Sequence, residues 1–160
     1  MAKRTLPGIR AIVTGASSGI GRQLALQLVQ QGGKEVALAR REERLQALAE
    51  ECQNQPGELH YVVGDVTAPA TRKQALDLAL EKFAGLDLLI NNAGIGAMGP
   101  FETADPERAR RIFEVNFFAP LAFIREALPT LKKADRPMVV NMTSTMSQAG
   151  WPPCSEYSGS

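Results

Sequence analysis

Short apolar runs and amphipathic stretches alternate along this chain almost without a break. Positions 9–14 carry the apolar run of a buried strand. Over 19–31 the apolar residues recur at helical spacing, with Ile20, Leu24 and Leu28 on one stripe and Ala25 and Val29 beside it. Gly32 and Gly33 supply the stop, because glycine takes the left-handed C-cap conformation at no steric cost. A second strand is predicted over 35–39, then a helix over 42–52 with Leu45, Leu48, Ala49 and Cys52 on one face. The pattern repeats as a strand over 59–63, a helix over 70–83 carrying Leu76, Leu80 and Phe83, and a strand over 86–90. Asp105 and Pro106 open a long helix that runs to about Leu131, with proline in the first turn where no intrahelical N–H is lost. Pro120 lies inside it and should kink it. A fifth strand is predicted over 138–142, and the segment 151–160 has no periodicity.

Five strands alternating with helices imply a parallel sheet covered on both faces. Right-handed crossovers then limit the topology to a doubly wound α/β sheet, with the expected strand order 3-2-1-4-5. No repeat, low-complexity tract or linker divides the chain, so the expectation is a single domain over 1–160.

Composition changes this picture little. The 160 residues are 44% hydrophobic and 22% charged with a formal net charge of +1, ordinary for a globular protein. No charge excess points to nucleic acid or a membrane surface. The start, Met1, Ala2, Lys3 and Arg4, is basic, but the apolar run over 11–13 is too short for a signal peptide. No stretch approaches the ~20 apolar residues needed to span a bilayer, and the cytoplasm is the expected location. Cys52 and Cys154 show no metal-ligand spacing and are expected to be reduced and structural. His60, the sole histidine, is read as structural, and Glu42, Glu43, Glu50 and Glu51 as a solvated helix face. No metal site is expected.

The candidate chemistry begins where the first strand ends. Thr14, Gly15, Ala16, Ser17, Ser18, Gly19, Ile20 and Gly21 fall between a strand and a helix, the context a phosphate-binding turn requires. Gly15 allows the tight turn, Gly19 lets the backbone approach a pyrophosphate, and Gly21 lets the helix pack closely on the sheet. The helix start then offers N–H groups and a positive dipole end. At the end of the second strand an NAD site usually has an acid for the ribose hydroxyls. Here Ala39 stands there and Arg40 and Arg41 follow. An arginine fork suits a 2′-phosphate, so the expected cofactor is NADP(H), with NAD(H) as the alternative.

The T-G-x-x-x-G-x-G spacing of residues 14–21 resembles the short-chain dehydrogenase/reductase family, rather than the T-G-x-x-G-x-x-G of extended epimerases. Asp65 and Val66 stand where that family contacts adenine. Asn91, Asn92, Ala93 and Gly94 match its N-N-A-G at the end of the fourth strand, and Asn116 takes the place of its active-site asparagine. Ser144 and Tyr157, thirteen positions apart, match its catalytic serine and tyrosine. The resemblance implies a Rossmann-type oxidoreductase moving hydride between NADP(H) and a carbonyl or alcohol. Tyr157 is then the general acid, Ser144 the hydrogen-bond donor to the developing charge, and Asn116 the holder of a relay water. It also implies a homo-oligomer paired partly through the long helix. Met98, Met146 and Trp151 lie where the family lines its substrate site and suggest an apolar substrate; stray loop residues explain them as well.

Two positions depart from the family. Ser147 stands where it often has glycine. Its lysine, four positions after the tyrosine, falls one beyond Ser160. A free tyrosine has a pKa of ~10 and needs a nearby cation to ionise near neutrality. The chain is therefore expected to be truncated, with C-terminal strands missing, Tyr157 in a fraying tail, strand five an exposed edge and negligible activity of its own. The alternative is a non-catalytic NADP(H)-binding fragment or interaction module derived from such an enzyme.

Overall fold

Five parallel strands run in the order β3-β2-β1-β4-β5, as the alternation implies. They are β1 (Arg10–Thr14), β2 (Lys34–Ala39), β3 (Glu58–Val63), β4 (Leu88–Asn91) and β5 (Met138–Asn141). The computed structural model describes residues 5–160, and the basic start at Met1, Ala2, Lys3 and Arg4 lies outside them. Ile12 of β1 pairs with Val36 on one side and Leu89 on the other. The order reverses after β1, so the C-terminal ends of β1 and β4 open side by side; ligands bind at such a switch point.

Each face of the sheet has its own core. Helices α1 (Gly19–Gln30) and α2 (Glu42–Cys52) cover one, where Val29, Leu45 and Leu48 meet Ala11, Val13 and Ala37. Helix α3 (Pro69–Phe83) and the long helical segment cover the other, where Ala75, Ala79, Phe123 and Ala127 meet Ile12, Val36 and Leu89. Successive strand side chains point to opposite faces, so a strand covered on both needs a nearly continuous apolar run.

Three local expectations are corrected. Ile20 is 63% exposed, whereas Leu28 of the same stripe is buried together with Ala25, Leu26 and Val29. Ile20 stands in the first turn of α1 on the wall of the cleft described below. In α3 the buried face is Arg72, Ala75, Ala79 and Phe83, while Leu80 is exposed. The small alanines let α3 lie close to the sheet, with Leu76 and Leu78 packed at the margin of the core and Leu80 outside it. The long helix is divided into α4 (Pro106–Phe113), a π-helical stretch (Glu114–Phe118) and α5 (Ala119–Leu131). Pro120 has no N–H for the Asn116 carbonyl four residues back, and the chain widens just before it, with Ala119 N–H donating to Glu114.

The segment 151–160 is ordered. It forms a 3₁₀ turn (Pro152–Cys154) and a short helix α6 (Ser155–Ser158), with Cys154 and Glu156 buried. Both cysteines are free and buried. Among the described residues no helix is long and apolar enough to cross a membrane, and no cluster of potential metal ligands occurs.

Candidate functional site

The glycine turn is held shut from below by Thr14 and Asn92. The buried Thr14 hydroxyl accepts from the main-chain N–H groups of Asn92 at 3.0 Å and Ala93 at 2.9 Å. The Asn92 amide in return donates to the main-chain oxygens of Thr14 and Gly15, at 2.9 and 3.4 Å. The loop after β4 is thus bolted to the loop after β1. Gly15 sits at φ +69°, and a Cβ there would stand 2.8 Å from the Ala93 Cα. A Cβ on Gly21 would meet the Asn92 amide and, at 2.5 Å, the Gly15 oxygen. Gly19, at φ +56°, has open space where its Cβ would be. Ser18 occupies the N-cap position of α1 without a side-chain cap bond, and the first turn of α1 carries no acidic residue.

A cleft of about 290 Å³ runs from this turn to the ends of β2 and β3; eleven of the thirteen residues predicted to bind cofactor line it, and Gly19 and Gly21 do not. Arg41 reaches back over the turn and donates to Ser17 Oγ at 2.9 Å and Ser18 Oγ at 2.6 Å. Arg40 lies exposed on the same wall, across from Asp65. Burial acts to raise the Asp65 carboxyl. The Thr67 N–H and hydroxyl, which donate at 3.0 and 2.9 Å, outweigh it together with the charges of Arg40 and Arg111, and hold the carboxyl below its ordinary range. Asp65 is therefore a fixed anion beside two cationic side chains.

Ser144, Tyr157 and Asn116 line one cavity of about 560 Å³ beyond the ends of β4 and β5. Ile20 and the segment 92–95 wall both this cavity and the cleft, so the two are contiguous. Asn116 lies in the π-helical stretch. Its Oδ1 accepts from Ile95 N–H at 2.9 Å, and its Nδ2 donates to the Ile95 oxygen at 2.9 Å and to Ser160 Oγ at 2.8 Å. Ser144 caps the 3₁₀ turn Thr145–Ser147, its hydroxyl accepting from Met146 N–H at 3.2 Å. Ser147, the first departure, donates its hydroxyl to the Ser144 carbonyl at 2.7 Å and so reinforces that turn. Tyr157 stands on α6 with its ring across from Gly96, where a Cβ would come within 3.7 Å. The apolar wall comes from Ile20, Phe117, Leu121, Ile124 and Met142; Met98, Met146 and Trp151 are not part of it.

Sequence reasoning missed four contributors. Thr14 was visible in the glycine pattern, but its role depends on a loop some 78 residues away. Thr67, two residues after Asp65, has the spacing of an Asx-type turn, a signal that was available. Arg108 and Glu156 form an ion pair at 2.6 Å across 48 residues of sequence, and no local pattern announces it.

A doubly wound parallel sheet whose first β–α turn is a glycine cradle defines a Rossmann-type α/β protein. Residues 10–160 match the short chain dehydrogenase family, and the chain belongs to it. It is 35% identical to the hydroxysteroid 11-beta-dehydrogenase 1-like protein of Gallus gallus, over 84% of this chain and 47% of that one. It is 34% identical to the 11-beta-hydroxysteroid dehydrogenase-like 4A of Arabidopsis thaliana, over 88% and 46%. It is 33% identical to the versicolorin reductase of Emericella nidulans, over 97% and 59%. The chain thus spans about half the length of the curated relatives it matches.

Proposed function

We propose that this chain carries the cofactor-binding and proton-donating part of an NADP(H)-dependent oxidoreductase that interconverts an apolar carbonyl and its alcohol. The carrying observation is that Asn116, Ser144 and Tyr157 open on one cavity that continues into the arginine-walled cleft over the glycine turn. The residues fit a dinucleotide. Gly15 and Gly21 leave a cradle that a Cβ would fill, and the uncapped start of α1 points N–H donors at it. Arg40 offers the 2′-phosphate a planar fork, Arg41 adds charge beside it, and Ala39 leaves no acid to repel it. Asp65 and Val66 face the adenine end, and Asn92, Ala93 and Gly94 lie toward the nicotinamide end.

Bound there, the cofactor supplies or accepts the hydride. Tyr157 donates its phenolic proton to the substrate oxygen, and the Ser144 hydroxyl hydrogen-bonds the same oxygen as charge develops on it. Both amide hydrogens of Asn116 are spent on Ile95 and Ser160, so a relay water at this position would take the Asn116 main-chain oxygen, whose i+4 neighbour Pro120 has no N–H to donate. Phe117, Leu121, Ile124 and Met142 exclude water and favour an apolar substrate. The names of the hydroxysteroid and versicolorin relatives are in keeping with that class. Self-association through the long helical segment belongs to the same reading, supported by the exposed ring of Phe118, which lies outside the cavity wall.

The test is NADPH and NADH consumption by the full-length protein with a panel of apolar ketones and aldehydes, before and after Tyr157→Phe. The substitution keeps the ring and removes the proton, so turnover should fall by about 10²–10⁴ with cofactor affinity retained. Undiminished turnover would remove Tyr157 from the chemistry.

A further inference from the structure

The helix that presents Tyr157 is too short to place itself. A four-residue helix has paid the nucleation cost without the propagation that offsets it, so its position is set by what it is tied to. Three ties run from it and its flanks. Pro153 accepts from Gly99 N–H at 2.8 Å, Ser160 Oγ accepts from Asn116 at 2.8 Å, and Glu156 accepts from Arg108. The first two act at the flanks. The third acts on the residue beside Tyr157 itself.

Arg108 donates from both Nε, at 2.8 Å, and Nη2, at 2.6 Å, to Oε2 of Glu156. The Glu156 side chain is only 6% exposed, while that of Arg108 is 32% exposed. Such an anion cannot lie buried without its cation, and two donors from a planar fork fix direction as well as distance. Arg108 sits in the first turns of α4, which is itself held by the Asp105 cap on Glu107 N–H and by the buried Ile112. The pair therefore transmits the position of a well-anchored helix to the tyrosine.

We propose that Arg108 is a positioning residue: through Glu156 it sets where the Tyr157 hydroxyl stands in the cavity. The claim rests on the oxidoreductase reading of the site. A misplacement of about 1 Å at a reacting group costs on the order of 10² in rate. The glycine cradle and the arginine wall lie on other elements, so Arg108→Met should lower kcat by about 10²-fold and leave the Kd for NADPH unchanged. A general loss of structure would move both. Arg108→Lys, which keeps the charge but not the fork, should recover part of the loss. The paired exchange of Arg108→Glu with Glu156→Arg should recover most of it.

A second readout keeps the two claims apart. Tyr61 and Tyr157 are the tyrosines of residues 1–160, and the ring resonances of Tyr157 can be assigned by their loss in Tyr157→Phe and followed by NMR. They should move in Arg108→Met and return in the exchanged pair. If the unmutated full-length protein reduces no carbonyl, the oxidoreductase reading fails, and the ring resonances alone decide the anchoring. An Arg108→Met variant with unchanged kcat and unmoved Tyr157 resonances, or an exchanged pair that recovers neither, would overturn the proposal.

Discussion

The side-chain amide of Asn92 donates at 2.9 Å to the main-chain oxygen of Thr14, tying the loop after β4 to the loop after β1 at the point where the strand order reverses. The amide also occupies the space beside Gly21, which explains why that position has no side chain. A Cβ at residue 21 would collide with this amide and with the Gly15 oxygen, neither of which can yield without opening the turn. Gly21→Ala should therefore cost about 1–3 kcal/mol of stability, as overpacking does, and abolish tight NADPH binding. Gly19→Ala makes the contrasting case. Open space surrounds its Cβ, so only the positive φ is strained, at about 1–2 kcal/mol, while the methyl would stand in the phosphate path. Thermal unfolding and cofactor titration on both variants measure this. A Gly21→Ala protein that melts and binds like the unmutated one would contradict the packing argument.

Cofactor choice should reside in Arg40 more than in Arg41. Arg41 already spends its fork on the hydroxyls of Ser17 and Ser18, which makes it a brace across the mouth of the turn. Arg40 extends along the cleft wall and acts on Asp65 only through its charge. A desolvated charge-assisted contact is worth about 1.5–3 kcal/mol, or roughly ten- to a hundred-fold in affinity. Arg40→Ala should weaken NADPH binding by that factor and leave NADH binding nearly unchanged. Arg41→Ala should weaken both cofactors together, because the turn loses its brace. Fluorescence titration of each cofactor reads the four affinities. Equal binding of NADPH and NADH by the unmutated protein would remove the case for a 2′-phosphate site.

The parts of this molecule that were legible in its sequence are those fixed by short-range periodicity. Five strands and their order follow from alternation and the handedness of crossovers, and the glycine turn follows from its place between a strand and a helix. What escaped was set by contacts distant along the chain. Arg72 reads locally as one more polar residue on α3. It is buried because its guanidinium meets the Val66 and Thr67 carbonyls and Glu126, which lies 54 residues away. Ile20 matches a helical stripe, yet it stands on the wall of the cleft. Residues 151–160 show no period because α6 is a single turn, ordered by Arg108 and Asn116 rather than by its own pattern. Glu35 did carry a signal: a charge next to the apolar run of a strand that neighbours cover on both faces.

That residue yields the remaining prediction. Glu35 lies on β2 between Ala11 and Leu59, wholly buried, with neither carboxylate oxygen hydrogen-bonded. Burial pushes its carboxyl up to about 8 from an ordinary value of 4.5. Nearby Cys52 is pushed up to about 11, first by its own burial and then by the charges of Glu35 and Glu51, with Arg22 opposing. The folded protein thus holds the Glu35 proton more tightly than the unfolded chain does. Below about pH 4.5 both states are protonated and the residue costs no ionisation energy. As pH rises toward 8 the unfolded chain ionises first, so stability falls through that window and levels off above it. The full loss is on the order of a few kcal/mol, since each tenfold difference in proton affinity is worth about 1.4 kcal/mol. Glu35→Gln keeps the shape and cannot ionise. Its stability advantage over the unmutated protein should be under about 1 kcal/mol at about pH 5 and grow to a few kcal/mol by about pH 9. Urea unfolding midpoints across that range measure the difference. Two curves that stay parallel from pH 5 to 9 would show that Glu35 ionises in the folded protein as readily as in the unfolded one.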